Sequence, residues 1–326
     1  MKTSIISANS IKTDYRLELL STAIYLSYLD EKSFVVSQSD LGSSAINERF
    51  ADFVNHPAVT EYPRLWELGL WWGEVPRLAL FLTDDIHLME EYKLEDGFYK
   101  IIENAFDTLI EYVAHLRDFD LKSNFPDYYK TTLQENMEFR KILNDSITNH
   151  PYNEILEDYT GLKFDNTHIV LMNILKCSIG VWTGSSVNRN IYSFCGSYWL
   201  QVAQGNKSLE RVLFSIIWHE FLHSVINPLS DNLFPDGLVT TEEQSVWYCA
   251  LNESIIWAIT HRLCVQNDIV KSSDNAWYFE NALRNKAPKT EAMYNLLLQY
   301  EADRKSFNTI ADFYPQLQKE FGQPPD

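Results

Sequence analysis

The chain has 326 residues, 45% of them hydrophobic and 22% charged, which is the balance of a folded globular protein and excludes a disordered chain, a collagen or a coiled-coil rod. At about 150 residues per domain, this length corresponds to one large domain or two. The formal net charge of −18 repels phosphate backbones and argues against nucleic acid as a partner.

The first residues, MKTSIISANSIKTDYR, contain no apolar stretch of about 7–15 residues, so no secretory signal is expected. No run of about 18 apolar residues follows, and none is expected to span a membrane. The richest stretch, Leu65 to Leu82, is broken by Glu67, Glu74, Pro76 and Arg77. A soluble, cytoplasmic protein is the expectation. From Asp14 to Asp30, Leu17, Leu20, Ile24 and Tyr28 recur at helical spacing. Ile46–Asn55 and Glu61–Leu82 continue as helical segments, and Gly97–Leu116 carries an apolar stripe from Phe98 to Val113. DFDLKSNFPDYY (118–129) and NDSITNHPYN (144–153) read as loops.

The pattern changes after residue 160. HIVLMNILKC (168–177), IGVW (179–182) and NIYSFC (190–195) are short and rich in β-branched residues, as strands are. Helices resume near Ser208 and run to the C-terminus, with loops at 227–241 and around 271–275. The expected fold is α+β: mainly helical, with a small sheet beside the 208–226 helix. The expected division is a helical lobe over 1–160 and a second lobe over 161–326, unless both form one continuous domain. The cysteines, Cys177, Cys195, Cys249 and Cys264, form no C-x-x-C pair, which excludes a cysteine zinc ribbon.

The chemistry lies in SIIWHEFLHSVI (215–226), which holds the H-E-x-x-H motif His219-Glu220-Phe221-Leu222-His223. Positions i and i+4 of a helix lie one above the other, so two imidazoles so placed can share one metal ion. The glutamate between them is free to accept a proton from water. With eight histidines in this chain, the motif arises by chance in about 1% of such sequences. Leu213, Ile216, Ile217, Phe221, Leu222 and Val225 flank it, so the helix is expected to be buried, where unpaired polar groups are costly.

A catalytic zinc site needs a third protein ligand. Glu242 and Glu243 follow His223 after 18 and 19 intervening residues, the separation of the best-known glutamate-zinc peptidases, and Glu253 follows after 29. Thr240-Thr241 before the first two reads as a helix cap, which already explains acidic residues in the first turn. Glu253 lies inside the apolar run CALNESIIWAI, where a carboxylate wants a metal or an arginine. Glu253 is therefore favoured, with Glu242 and Glu243 as alternatives.

HEFLHSVINP (219–228) followed by NESIIWA (252–258) resembles an uncharacterised bacterial family, classed as a domain of unknown function and similar to the gluzincin side of the zincins. ELLSTAIYLS (18–27) and NHPAV (55–59) add to the resemblance. It implies zinc held by His219, His223 and Glu253, and a zincin-like metallopeptidase lobe. The chain departs from the family pattern at Trp257, where an arginine is expected.

The resulting expectation is zinc-dependent hydrolysis of a peptide or protein substrate, with Glu220 as general base. An extended substrate would pair with a strand edge near Asn190–Phe194. The oxyanion donor stays open among Tyr192, Tyr198, Tyr248, His261 and Arg262. Asn252 is a candidate to orient a ligand, and Cys249 is expected in the core. His56, His87, His115, His150 and His168 are not expected to bind metal, and His115 is expected to pair with Glu111. The alternative reading is a zinc-binding scaffold without catalysis, although such a scaffold has no need of Glu220.

Overall fold

The apolar run near the N-terminus folds as helix α1, Tyr15–Ser27, with Leu17–Leu26 buried on every side. The computed structural model describes residues 11–27, 43–89, 105–135, 151–164, 166–183, 190–196, 209–234 and 239–325, with single positions between 137 and 145. Around α1 pack α2 (Ser43–Arg49), α3 (Pro57–Thr60), α4 (Tyr62–Glu67), α5 (Val75–Leu80), α6 (Phe106–Lys122) and α7 (Phe125–Glu135). The single segment expected over 61–82 is broken. Gly69, at φ 104°, takes a left-handed turn after α4, and Pro76 sits in the first turn of α5. Residues 118–129 are not a loop: α6 runs to Lys122 and α7 begins at Phe125, with Asn124 at φ 52° turning the chain between them. The N-terminal part of the expected Gly97–Leu116 helix and half of the expected 144–153 loop lie outside the described residues. Tyr152 opens α8 (Tyr152–Thr160).

The strand-like sequence forms a four-stranded mixed sheet: β1 (Ile11–Lys12), β2 (Asn166–Leu171), β3 (Ile179–Thr183) and β4 (Asn190–Cys195), in the order β1-β2-β4-β3. β1 and β4 flank β2 in parallel, and β3 pairs antiparallel with β4, with Gly180 opposite Ser193. The expected 168–177 strand stops at Leu171. Side chains alternate across this sheet. Val170, Val181 and Phe194 pack against the α1–α7 cluster, whereas Ile169, Leu171, Ile191 and Cys195 face the C-terminal helices.

Those helices are α9 (Leu209–Asp231), α10 (Glu242–Gln266), α11 (Asn275–Arg284), α12 (Thr290–Ala302) and α13 (Ile310–Phe321). α9 lies across β3 and β4, and α10 runs beside α9. The loop expected from 227 begins later, because α9 continues through Pro228 to Asp231. The protein is thus mainly helical with one small sheet, as the sequence indicates. No described helix is long and apolar enough to cross a membrane.

One buried charge tests this packing away from the metal-ligand residues. Glu18 of α1 is 3% exposed and accepts a hydrogen bond from the Asn173 amide at 2.9 Å. Burial pushes its carboxyl up to about 7, with the Asn173 bonds pulling the other way. The raised value means that the folded state holds a proton that the unfolded chain releases, so stability falls as pH rises from about 4.5 to about 7 and then levels off. Glu18→Gln keeps the acceptor and removes the charge. At pH 8 the variant is expected to be more stable by about 1–3 kcal/mol, with the gain gone at pH 4. Denaturant unfolding at both pH values checks this, and equal stability at pH 8 contradicts it.

Candidate metal centre

α9 buries Ile217, Trp218, Phe221, Leu222 and Ile226 completely, and the Trp218 indole N–H donates to the Tyr152 carbonyl at 2.9 Å. This packing fixes the rotation of the helix. The remaining face presents His219, Glu220 and His223, the last one turn beyond the first, with ring centroids 5.1 Å apart. α10 brings Glu253 against them. Its carboxylate lies 3.4 Å from His219 Nε2 and 3.6 Å from His223 Nε2. Ligand atoms of His219, His223 and Glu253 all lie within 4.8 Å of one another, and this is the one such group among the described residues. Donors about 2.0–2.1 Å from a tetrahedral ion stand about 3.4 Å apart, so the 3.4 Å and 3.6 Å separations from Glu253 to the two imidazoles suit a shared metal ion.

The neighbours of the ligands orient them. His223 Nδ1 faces Asn227 Oδ1 at 3.3 Å, an arrangement in which Nδ1 carries the proton and Nε2 offers its lone pair. The Trp257 indole N–H donates to Glu253 Oε2 at 3.2 Å, and its ring stands edge-on to His219 at 5.6 Å. Trp257 thus supplies a neutral donor where the family resemblance leads one to expect arginine. Asn252 accepts from the Ser230 hydroxyl, which also meets Tyr314 Oη at 2.6 Å. This buried contact ties the C-terminal end of α9 to the middle of α10 and to α13.

Glu220 is held from the sheet side. β3 crosses α9 so closely that a Cβ on Gly180 would sit 2.0 Å from the Glu220 carbonyl oxygen, which only glycine tolerates. The backbone of Gly180 favours the ionised form of the Glu220 carboxylate. Burial, helped by the charge of Glu253, pushes the Glu220 carboxyl up to about 7 against the pull of His219 and Gly180. Burial also opposes ionisation of Glu253, but the hydrogen bond and charge of His219, then His223 and Trp257, hold it down near about 2. His223 is driven down to about 4 by burial and by His219. For His219, the bond and charge of Glu253 outweigh burial and raise the imidazole.

The chain matches the family model described as "Domain of unknown function (DUF4932)" over residues 11–319. It belongs to the DUF4932 family. No curated protein and no solved structure matches it.

In this DUF4932 member, Glu242 and Glu243 are exposed in the first turn of α10, where the Thr241 hydroxyl caps the helix by accepting from the Gln244 amide at 3.1 Å. Glu243 precedes Glu253 by ten residues, about 15 Å along the helix, so neither residue joins the cluster. The oxyanion candidates are drawn elsewhere. Tyr248 donates to Asp231 at 2.7 Å, Arg262 pairs with Glu301, and His261 is stacked on Tyr278 with Nε2 2.8 Å from Asn275. Tyr192 is stacked between His168 and Phe194, and Tyr198 lies outside the described residues. Cys249 is exposed rather than in the core. His115 pairs with Glu61 at 2.7 Å, not with Glu111, because α3 and α4 pack across α6. His56 caps α3 and faces Asp118, while His150 is outside the described residues. The edge strand beside the motif is β3, not Asn190–Phe194. β4 is paired on both sides, so its backbone has no free edge. Sequence reading missed Asn227 and Gly180. Asn227 had a signal, four residues after His223, whereas the role of Gly180 depends on how the sheet crosses α9.

Proposed function

We propose that this protein is a zinc-dependent peptidase of gluzincin type, in which His219, His223 and Glu253 hold the ion and Glu220 is the general base. The observation that carries the reading is the convergence of two imidazole nitrogens and a carboxylate, with a second carboxylate 4.0 Å from His223 Nε2. Two histidines and one carboxylate also suit iron(II) oxygenases. Glu220 favours hydrolysis, because it supplies a base that metal binding itself does not need. When bound, zinc would polarise a carbonyl and bring the pKa of water towards about 7.

The protein's own residues supply the remaining steps. Glu220 Oε takes the proton of the attacking water and delivers it to the departing amide nitrogen. The close packing of β3 on α9 at Gly180 and the buried faces of α9 hold the position of Glu220, so it needs little reorganisation as the proton moves. β3 is the edge of the described sheet and runs past Glu220, which suits an extended peptide added to the sheet through main-chain hydrogen bonds.

The test is cleavage of a broad peptide library by the full chain, with mass-spectrometric readout. Cleavage that stops with a chelator and returns with zinc is the expected result. No cleavage by protein shown to hold one zinc per chain would favour the non-catalytic scaffold.

A further inference from the structure

A cavity of about 550 Å³ opens beside His219 and Glu220 and runs between α9, α10 and α11. Its walls include Ile216, Trp257, Val270, Trp277 and Tyr278, with polar groups from Ser178, Ser215, Asn281 of α11 and Asn285 just past its end. We propose that this cavity receives a large apolar side chain, of the phenylalanine or leucine class, from a residue flanking the bond that is broken. The inference rests on the peptidase reading and adds the class of side chain selected.

Size, chemistry and placement support this choice. Along α10 the lining extends from Trp257 to Cys264, seven residues or about 10 Å, a depth that glycine or alanine would leave unfilled. Among the described residues that line the cavity, none is Asp, Lys or Arg. The one carboxylate is Glu220, at the mouth and used by the mechanism, so a lysine ammonium buried in the cavity would have no counter-charge of its own. An acidic side chain would face Glu220 across the mouth. The wall is also joined to the ligands: Trp257 holds Glu253 through its N–H, and its ring meets Tyr278 at 5.2 Å. A side chain seated against Trp257 therefore places its neighbouring carbonyl beside His219 and Glu220. Trp277, 58% exposed, forms the outer lip.

Fluorine NMR line broadening of N-acetyl-4-fluorophenylalaninamide, with the full chain, measures this directly. N-acetyl-phenylalaninamide is expected to displace the probe, whereas the lysine and aspartate analogues are not. Asn281→Trp, which fills the cavity from α11, is expected to weaken the probe by about 10–200-fold, the range for misfit in an apolar pocket. Trp277→Ala alters an exposed position and is expected to weaken it by about 2–10-fold, the worth of one aromatic contact. Displacement by the lysine or aspartate analogue as readily as by the phenylalanine one overturns the proposal. So does a probe affinity unchanged in both variants.

Cleavage separates this inference from the peptidase reading. With zinc-loaded protein and a random peptide library, cuts are expected next to Phe, Leu, Met or Tyr, shifting towards Ala and Val in Asn281→Trp. Cuts without such a preference overturn the pocket and leave the peptidase reading standing. Probe selectivity without any cleavage supports the pocket and counts against hydrolysis.

Discussion

Glu220→Gln is expected to retain zinc and the fold while its peptide hydrolysis falls by about 10²–10⁴-fold, the usual cost of losing a general base. Glutamine keeps the length and shape of the side chain, and the approach of β3 to α9 is through the Glu220 main chain, so it is kept. What is lost is the basic oxygen next to the two histidines. The helix itself is fixed elsewhere, by Trp218, Phe221 and Leu222 in the core. Kinetics and zinc content measured on the same preparation separate the two effects. Undiminished hydrolysis in the variant would remove Glu220 from the mechanism, and lost zinc would make it a structural part of the metal centre.

Glu253→Ala is expected to strip the metal. It removes the donor that lies 3.4 Å and 3.6 Å from the two imidazoles. The loss of zinc affinity should exceed the about 10–100-fold typical of removing an outer partner of a ligand. Trp257→Phe removes the N–H that Glu253 accepts while keeping a smaller aromatic ring beside His219, and should fall within that range. Glu242→Ala and Glu243→Ala should leave zinc unchanged, because both side chains are exposed in the first turn of α10. Zinc titration against a competing chelator gives all four affinities. Loss of zinc in Glu243→Ala with retention in Glu253→Ala would reverse the assignment.

The clustering of His219, His223 and Glu253 was largely legible because its cues are local. His219 and His223 are one helical turn apart, and that spacing survives any tertiary arrangement. Glu253 was separable from Glu242 and Glu243 by its apolar surroundings, since a cap explains the earlier pair and nothing local explains a carboxylate within CALNESIIWAI. Capping and burial are written in near neighbours. The helix–sheet division was readable in the same way, from β-branched runs confined to 166–195.

Strand order was not legible. β4 enters between β2 and β3, so the segment just upstream of α9 is interior and the earlier β3 becomes the edge. Pairing of this kind is decided by side chains far apart in sequence. β1, only Ile11–Lys12, is too short to carry a periodic signal. The 118–129 segment misled for a different reason. Its polar residues and Pro126 resemble a loop, but the chain turns within Ser123–Asn124 and the polar residues are the solvent faces of two helices. Trp257 lies four residues after Glu253, so the indole–carboxylate bond follows helical spacing. It was hidden only because a different residue type was expected there.

The most direct test is X-ray absorption at the zinc edge of full-length protein loaded with one zinc per chain. A site made of His219, His223 and Glu253 predicts a shell of nitrogen and oxygen at about 2.0–2.1 Å, with the outer-shell scattering of two imidazoles and no sulfur. Cys177 is the informative competitor: it lies near enough to feel the charge of Glu220, and burial and that charge hold its thiol protonated. A sulfur shell at about 2.3 Å, or the absence of imidazole scattering, would contradict the assigned centre.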